Sequence, residues 1–193
     1  MKTLLLYLAA IITVGSAFPY IRDILRGTTK PSVVSWLTWT ILTGTATVAE
    51  FAAGEFTTAI FTLAAAIATG FIVILALRYG YTKYTKFDVI CQIGAIIGLL
   101  LWWIFNSPTV AIIAIVSIDL IAALPTIRHS WISPKQETPS AFAIASGAAI
   151  LALLALSTFN WASLAYPVYL ILANAVITGI LLIRRNQITR KSE

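Results

Sequence analysis

Charge is what this sequence has least of. Only 10% of its 193 residues are Asp, Glu, Lys or Arg, against about a quarter in a water-soluble globule, whose surface must be wetted. Sixty per cent are apolar, more than one core of this size buries, so the natural solvent for the excess is lipid. The single cysteine, Cys91, excludes an intramolecular disulfide; in an apolar stretch beside Gln92 it reads as a packed thiol. The single histidine, His129, stands beside Arg128 in a polar connection, with no cysteine or carboxylate cluster to make a metal site. No nucleophile–base pair, phosphate loop or metal-ligand spacing is present. The chain therefore reads as neither an enzyme nor a cofactor binder.

What is present is a run of seven apolar segments, approximately Thr3–Phe18, Ser32–Ala49, Phe56–Leu77, Val89–Phe105, Thr109–Leu124, Ser140–Thr158 and Ser163–Ile183. At 1.5 Å per residue each is near the length that spans a bilayer of about 30 Å. Backbone groups in hydrocarbon must be satisfied within the segment, so helices are expected rather than strands. Lys2, the run Leu4 to Val14 and Gly15-Ser16-Ala17 also resemble a secretory signal peptide. The internal repeat described below instead needs this segment as a retained helix.

The connections alternate in charge. The stretches 49–55, 106–108 and 159–162 contain no Lys or Arg. The stretches 19–31, 78–88 and 125–139, with the tail from Arg184, hold twelve of the thirteen basic residues; only Lys2 lies on the other side. The positive-inside rule then predicts an inner-membrane protein with its N-terminus outside and its C-terminus in the cytoplasm. The net charge of +6 is accounted for as a topology signal, not as a nucleic-acid footprint. Trp102, Trp103, Phe105 and Trp161 flank the predicted outer boundary and Tyr79, Tyr81 and Tyr84 the inner one, as amphipathic rings do. Gly94 and Gly98 form a GxxxG pair suited to close helix packing.

The two ends of the chain repeat each other. Pro19-Tyr20-Ile21-Arg22 closes the first segment and Pro125-Thr126-Ile127-Arg128 the fifth. Pro31-Ser32 opens the second and Pro139-Ser140 the sixth, and the third and seventh end alike at Arg78 and Arg184. Helices 1–3 therefore match helices 5–7. Two parallel triplets need one odd helix to return the chain, which predicts a 3+1+3 all-α membrane protein: residues 1–87, a linker helix over 88–107, and residues 108–193.

On these residues the chain resembles the PQ-loop superfamily and, within it, the SWEET sugar transporters. Pro19 and Pro125 stand at the proline of the family's Pro-Gln motif, with Tyr20 and Thr126 in place of glutamine; Thr28-Thr29 resemble its Ser-Thr element and Thr138 does so faintly. The resemblance implies alternating access around a midplane site. Asn174 resembles one of the family's substrate-site asparagines, and the corresponding stretch of helix 3 offers Ala68 and Thr69. The sequence Trp36-Leu37-Thr38-Trp39 is also similar to the W-x-x-W of nicotinamide riboside transporters, which implies a vitamin substrate. Some PQ-loop relatives imply a third role, that of a non-transport receptor or scaffold.

The residues themselves mark the candidate site. Asp119 lies in mid-helix, where a charge costs roughly 2.5–3.5 kcal/mol on insertion scales and so faces a cavity or a partner. Its roles in prospect are substrate binding, proton coupling or a helix-locking hydrogen bond. Trp36, Thr40, Thr43, Thr47 and Glu50 share one face of helix 2, expected to point inward. Asn174 and Thr178 lie one turn apart on helix 7, with an amide that both donates and accepts. Trp36 and Trp39 are placed to stack on a ring or to pack together. Pro19, Pro31, Pro125 and Pro139 at the inner helix ends, with Pro167 in helix 7, are candidate hinges, since proline removes a backbone bond. The expected partners are the bilayer, a small polar solute and, in an arrangement the sequence leaves open, further copies of the chain.

Overall fold

The computed structural model describes residues 2–52, 56–81, 85–104, 108–156 and 159–192; within these, the side chains of residues 49–50, 52, 56–58, 61, 98–99, 101–104, 108–112, 162 and 191–192 are not described. Tyr84, Phe105 and the side chains of Glu50, Gly98, Trp102 and Trp103, each singled out above, lie outside the described set.

The described residues are all helical, with no strand among them. Seven α-helices run in chain order: α1 Lys2–Leu25, α2 Val33–Ala52, α3 Phe56–Tyr79, α4 Lys86–Ile104, α5 Pro108–Ile132, α6 Pro139–Ala155 and α7 Trp161–Ser192, with a single turn of 3₁₀ helix, Pro134–Gln136, before α6. Stretches of α1, α3, α5 and α7 (Lys2–Leu25, Thr62–Tyr79, Ile113–Ile132 and Ser163–Arg190) are each long and apolar enough to cross a membrane; Val33–Val48 and Pro139–Ala155 are apolar but shorter.

Three helices run further than the hydropathy pattern indicates. α1 and α5 continue past Pro19 and Pro125 for six and seven residues, so these prolines sit inside helices. Proline forfeits only its own N–H bond and leaves the turns beyond free to propagate. α7 carries the basic tail as helix to Ser192. Pro139 occupies the first turn of α6, where a missing N–H costs nothing.

Packing follows a ring. α3 lies against α1 and α2, α7 against α5 and α6, α1 against α6, and α2 against α5; α4 rests outside on α5 and α2. Large apolar side chains cover much of the outside, and a set of polar side chains is buried. Phe18, Ile67, Leu77 and Ile90 are exposed, whereas Thr29, Ser35, Thr38, Asp88, Asp119, Thr126 and Glu137 are buried. An outer surface so rich in exposed large apolar side chains suits a bundle that faces lipid. Alanine dominates the buried apolar set, with Ala9, Ala17, Ala76, Ala95, Ala122 and Ala148 among it, as expected where close approach and not hydrophobic burial joins the helices.

The basic connections meet at one end of the ring. The Lys30 amide donates to the Gln136 carbonyl at 2.9 Å, Tyr81 stacks on His129 at 4.5 Å, and Arg184 lies 4.7 Å over the Trp131 ring. At this basic end the strap before α2 crosses the residue that follows α3. A Cβ on Gly80 would stand 2.7 Å from the Pro31 carbonyl and closer still to that of Ala76. Gly80→Ala is therefore expected to destabilise the protein by about 1–3 kcal/mol, read as a lowered melting temperature in detergent. Gly44→Ala, with nothing within 4 Å of its Cβ, is the control that should leave it unchanged or raise it.

Candidate functional site

α2, α5 and α7 are consecutive in the ring, and their polar side chains meet on Asp119. Its Oδ1 accepts from Trp39 Nε1 at 2.8 Å and from Tyr169 at 3.1 Å; its Oδ2 accepts from Tyr166 at 2.9 Å. The carboxylate is 4% exposed. Among the described residues no Lys, Arg or His pairs with it; the one ion pair there joins Arg22 to Asp23. Three neutral donors thus surround a charge that accepts up to four hydrogen bonds. Tyr166 and Tyr169 sit one turn apart on α7 with rings 6.2 Å apart and tilted by 23°, so both hydroxyls reach the same acceptor.

From Trp39 a line of aromatic side chains crosses the inside of the ring. Trp39 meets Trp36 edge to face at 5.0 Å, and Trp36 meets Tyr20 of α1 at 4.8 Å. Trp36 Nε1 donates to the Tyr20 hydroxyl at 3.2 Å, and Tyr20 donates to Glu137 Oε2 at 2.7 Å. Phe142 of α6 closes on Tyr20 at 5.9 Å. With Ile72, Ile177 and Leu181 these rings form one buried cluster, which fills the ring where it approaches the basic end.

Beyond this cluster the two halves of the chain are tied directly. The Thr138 hydroxyl donates to Asp23 Oδ2 at 3.0 Å and lies 2.7 Å from that of Thr29. Since its hydrogen is used on Asp23, Thr29 is the donor in the second bond. Arg185 of α7 donates to the carbonyls of Pro134 and Glu137. A cavity of about 380 Å³ opens here, lined by Asp23, Thr28, Thr29, Lys135, Glu137 and Arg185 among others.

The residues marked in the sequence fall into two groups. Asp119 and Trp36 belong to the aromatic line. Thr40, Thr43 and Thr47 each bond back to α2 carbonyls at 2.8 Å, and Thr47 also reaches Thr62 of α3 at 3.1 Å. Asn174 donates to the Leu170 carbonyl and Thr178 to that of Asn174, both at 2.8 Å. Apart from the Thr47–Thr62 bond these groups bond within their own helices, and none of them bonds to Asp119. Pro19 and Pro125 lie within α1 and α5, and Pro31 is buried in the strap before α2. The sequence reading missed Tyr166, Tyr169, Tyr20 and Glu137. The available signal was two tyrosines three apart in an apolar helix, because a buried phenol needs an acceptor.

Glu137 is fully buried, and desolvation pushes its carboxyl up from the ordinary 4.5 to about 8, against the opposing pull of the Tyr20 hydrogen bond and the Arg185 charge. The unfolded chain releases this proton near 4.5 and the folded chain holds it to about 8. The stabilisation is thus fully present below the lower value and is lost as pH rises through the upper one. The melting temperature is expected to fall between those limits. Glu137→Gln, which keeps an acceptor for Tyr20, should flatten that fall; an equal slope in both proteins rejects the assignment. No family profile matches this chain, and no curated protein and no solved structure matches it either.

Proposed function

We propose that the chain is a seven-span membrane transporter of the 3+1+3 type, N-terminus outside, which passes a small polar solute by alternating access. The observation that carries this reading is the shared ownership of Asp119. The carboxylate belongs to the second triplet, and its donors come from the first (Trp39) and the second (Tyr166 and Tyr169). A polar group held between two halves is what a rocking mechanism needs, since relative movement changes its partners.

The packing supports the repeat. Exchanging α1, α2 and α3 for α5, α6 and α7 leaves the neighbour pairs of the ring unchanged, with α4 as the outlying linker. The ties at the basic end then act as a closed gate. Tyr20–Glu137, Thr29–Thr138 and Asp23–Thr138 all join the first half to the second and must break for a solute to leave on that side. The prolines inside α1 and α5 supply bending points next to these ties. Facilitated diffusion is the default mode, with Asp119 available for proton coupling. A solute rich in hydroxyl or amide donors suits its carboxylate.

A second reading has an observation of its own. The Trp36–Trp39 pair lies beside Asp119 in edge-to-face contact, which favours a substrate with an aromatic ring, as in the nicotinamide riboside type. Both readings are tested in proteoliposomes with labelled sugars, nucleosides, amino acids and nicotinamide riboside. Saturable uptake of one class is expected. Loss of a charge-assisted hydrogen bond worth about 1.5–3 kcal/mol in Asp119→Asn should cut it about tenfold or more. Uptake of none of them, from protein that is folded and correctly inserted, supports the receptor or scaffold role instead.

A further inference from the structure

Five of the six buried side-chain polar atoms that have no hydrogen-bond partner among the described residues carry an additional message. They are Ser35 Oγ of α2, Asp88 Oδ1 of α4, and Thr126 Oγ1, His129 Nε2 and Ser130 Oγ of α5. Native proteins hold only a few such atoms per hundred residues, and each calls for a cause.

Helix register brings them together. Leu42, Ala95 and Ile118 pack against one another where α2, α4 and α5 meet. Seven residues make about two helical turns and return to the same face. Two turns towards the basic end lead from Leu42 to Ser35, from Ala95 to Asp88 and, on the antiparallel α5, from Ile118 to residues 125–126. The register of α2 against α4 is pinned halfway by Thr38, whose hydroxyl lies 3.2 Å from Gln92 Oε1. The register of α4 against α5 is pinned by Gly94, whose Cβ would touch Ile121 at 3.6 Å. His129 and Ser130 follow one turn further along α5, and Asp88 acts electrostatically on His129. Ser35, Asp88, Thr126 and Ser130 are each wholly buried.

Capping explains half of Asp88. Its Oδ2 accepts from the Thr85 amide at 2.7 Å and from the Thr85 hydroxyl at 2.8 Å, which closes the first turn of α4. Oδ1 is left over, as a carboxylate oxygen that only accepts, at the level to which the register brings Ser35 and Thr126, with Ser130 one turn further along α5. A hard cation with oxygen ligands answers all four oxygens at once. Its charge is set by balance. A single carboxylate neutralises one positive charge, and Lys30 and Arg128, both within electrostatic reach of His129, oppose a second. The carbonyl end of α5 favours a cation, whereas the first turns of α2 and α4, which hold Ser35 and Asp88, present positive ends that oppose a second charge.

We propose that the crossing of α2, α4 and α5 at the basic end binds a monovalent hard cation, sodium, through Asp88 Oδ1 and the hydroxyls of Ser35, Thr126 and Ser130. The site stands apart from Asp119 and does not depend on the transport reading. It ties the outlying α4 to one helix of each half, and it sets the α2–α5 crossing on which the Trp39–Asp119 bond rests.

The purified full chain in detergent is melted in sodium, potassium and choline chloride at equal ionic strength. Sodium is expected to raise the melting temperature saturably by a few degrees above the other two salts, as a ligand of the native state does. Asp88→Asn, whose amide oxygen still accepts from Thr85, should lose the sodium increment. Ser35→Ala and Thr126→Val should shift the sodium dependence to several-fold higher concentration while melting as the parent protein does in choline. Identical melting in all three salts overturns the proposal and leaves water as the occupant; so does an increment that survives in Ser35→Ala/Thr126→Val at unchanged sodium concentration, a criterion that holds even if Asp88→Asn does not fold.

Discussion

A carboxylate in the middle of an apolar helix has to be solvated by something other than water. On insertion scales the charge costs roughly 2.5–3.5 kcal/mol, comparable to a large share of the net stability of a small protein. Asp119 recovers this through three hydrogen bonds, and each constrains a neighbour. Trp39 fixes the rotation of α2 about its axis, and Tyr166 with Tyr169 fixes that of α7. With α2 so turned, Trp36 faces the inside of the ring, meets Tyr20 and carries the line to Glu137. The order of the interior thus follows from one desolvated charge and the indole and phenol groups that reach it.

The rest of the bundle follows the rules of an apolar solvent. Hydrophobic side chains gain little by turning inward, so many bulky Ile, Leu and Phe side chains line the outside, and alanine makes up much of the buried apolar set. The α2 threonines show how a polar residue fits into such a helix: a hydroxyl bonded to the carbonyl four residues back leaves no unpaired donor. Asn174 and Thr178 use the same device on α7. A polar stripe is therefore not by itself a binding site. A group whose partners lie on other helices, as for Asp119, carries more weight.

At the basic end, loops from both halves of the chain are laced by side-chain and backbone hydrogen bonds around a buried carboxyl. Hydrogen bonds of this kind are individually worth about 1 kcal/mol net, so a few of them tie these loops together without making the contact irreversible. Under the transport reading this is the required balance, with the aromatic plug behind it as the steric barrier.

The sequence by itself determined the class of the molecule. Scarce charge, seven apolar segments and basic residues confined to alternate connections make a helical bundle with one basic end, because backbone in lipid must close its own hydrogen bonds and lysine and arginine must stay at the water boundary. It marked Asp119 for the same reason, since an isolated carboxylate in an apolar run is conspicuous at any register. It gave helix ends too early at Pro19, Pro125 and Ile183, because hydropathy ends where the membrane does and a helix need not. What only the tertiary structure decided is which groups answer that carboxylate. Tyr166 and Tyr169 lie 47 and 50 residues from Asp119, and Tyr20 and Glu137 lie 117 apart. Whether Thr40 and Asn174 look inward to a partner or back to their own helix depends on rotations set by that distant packing, to which local periodicity is blind.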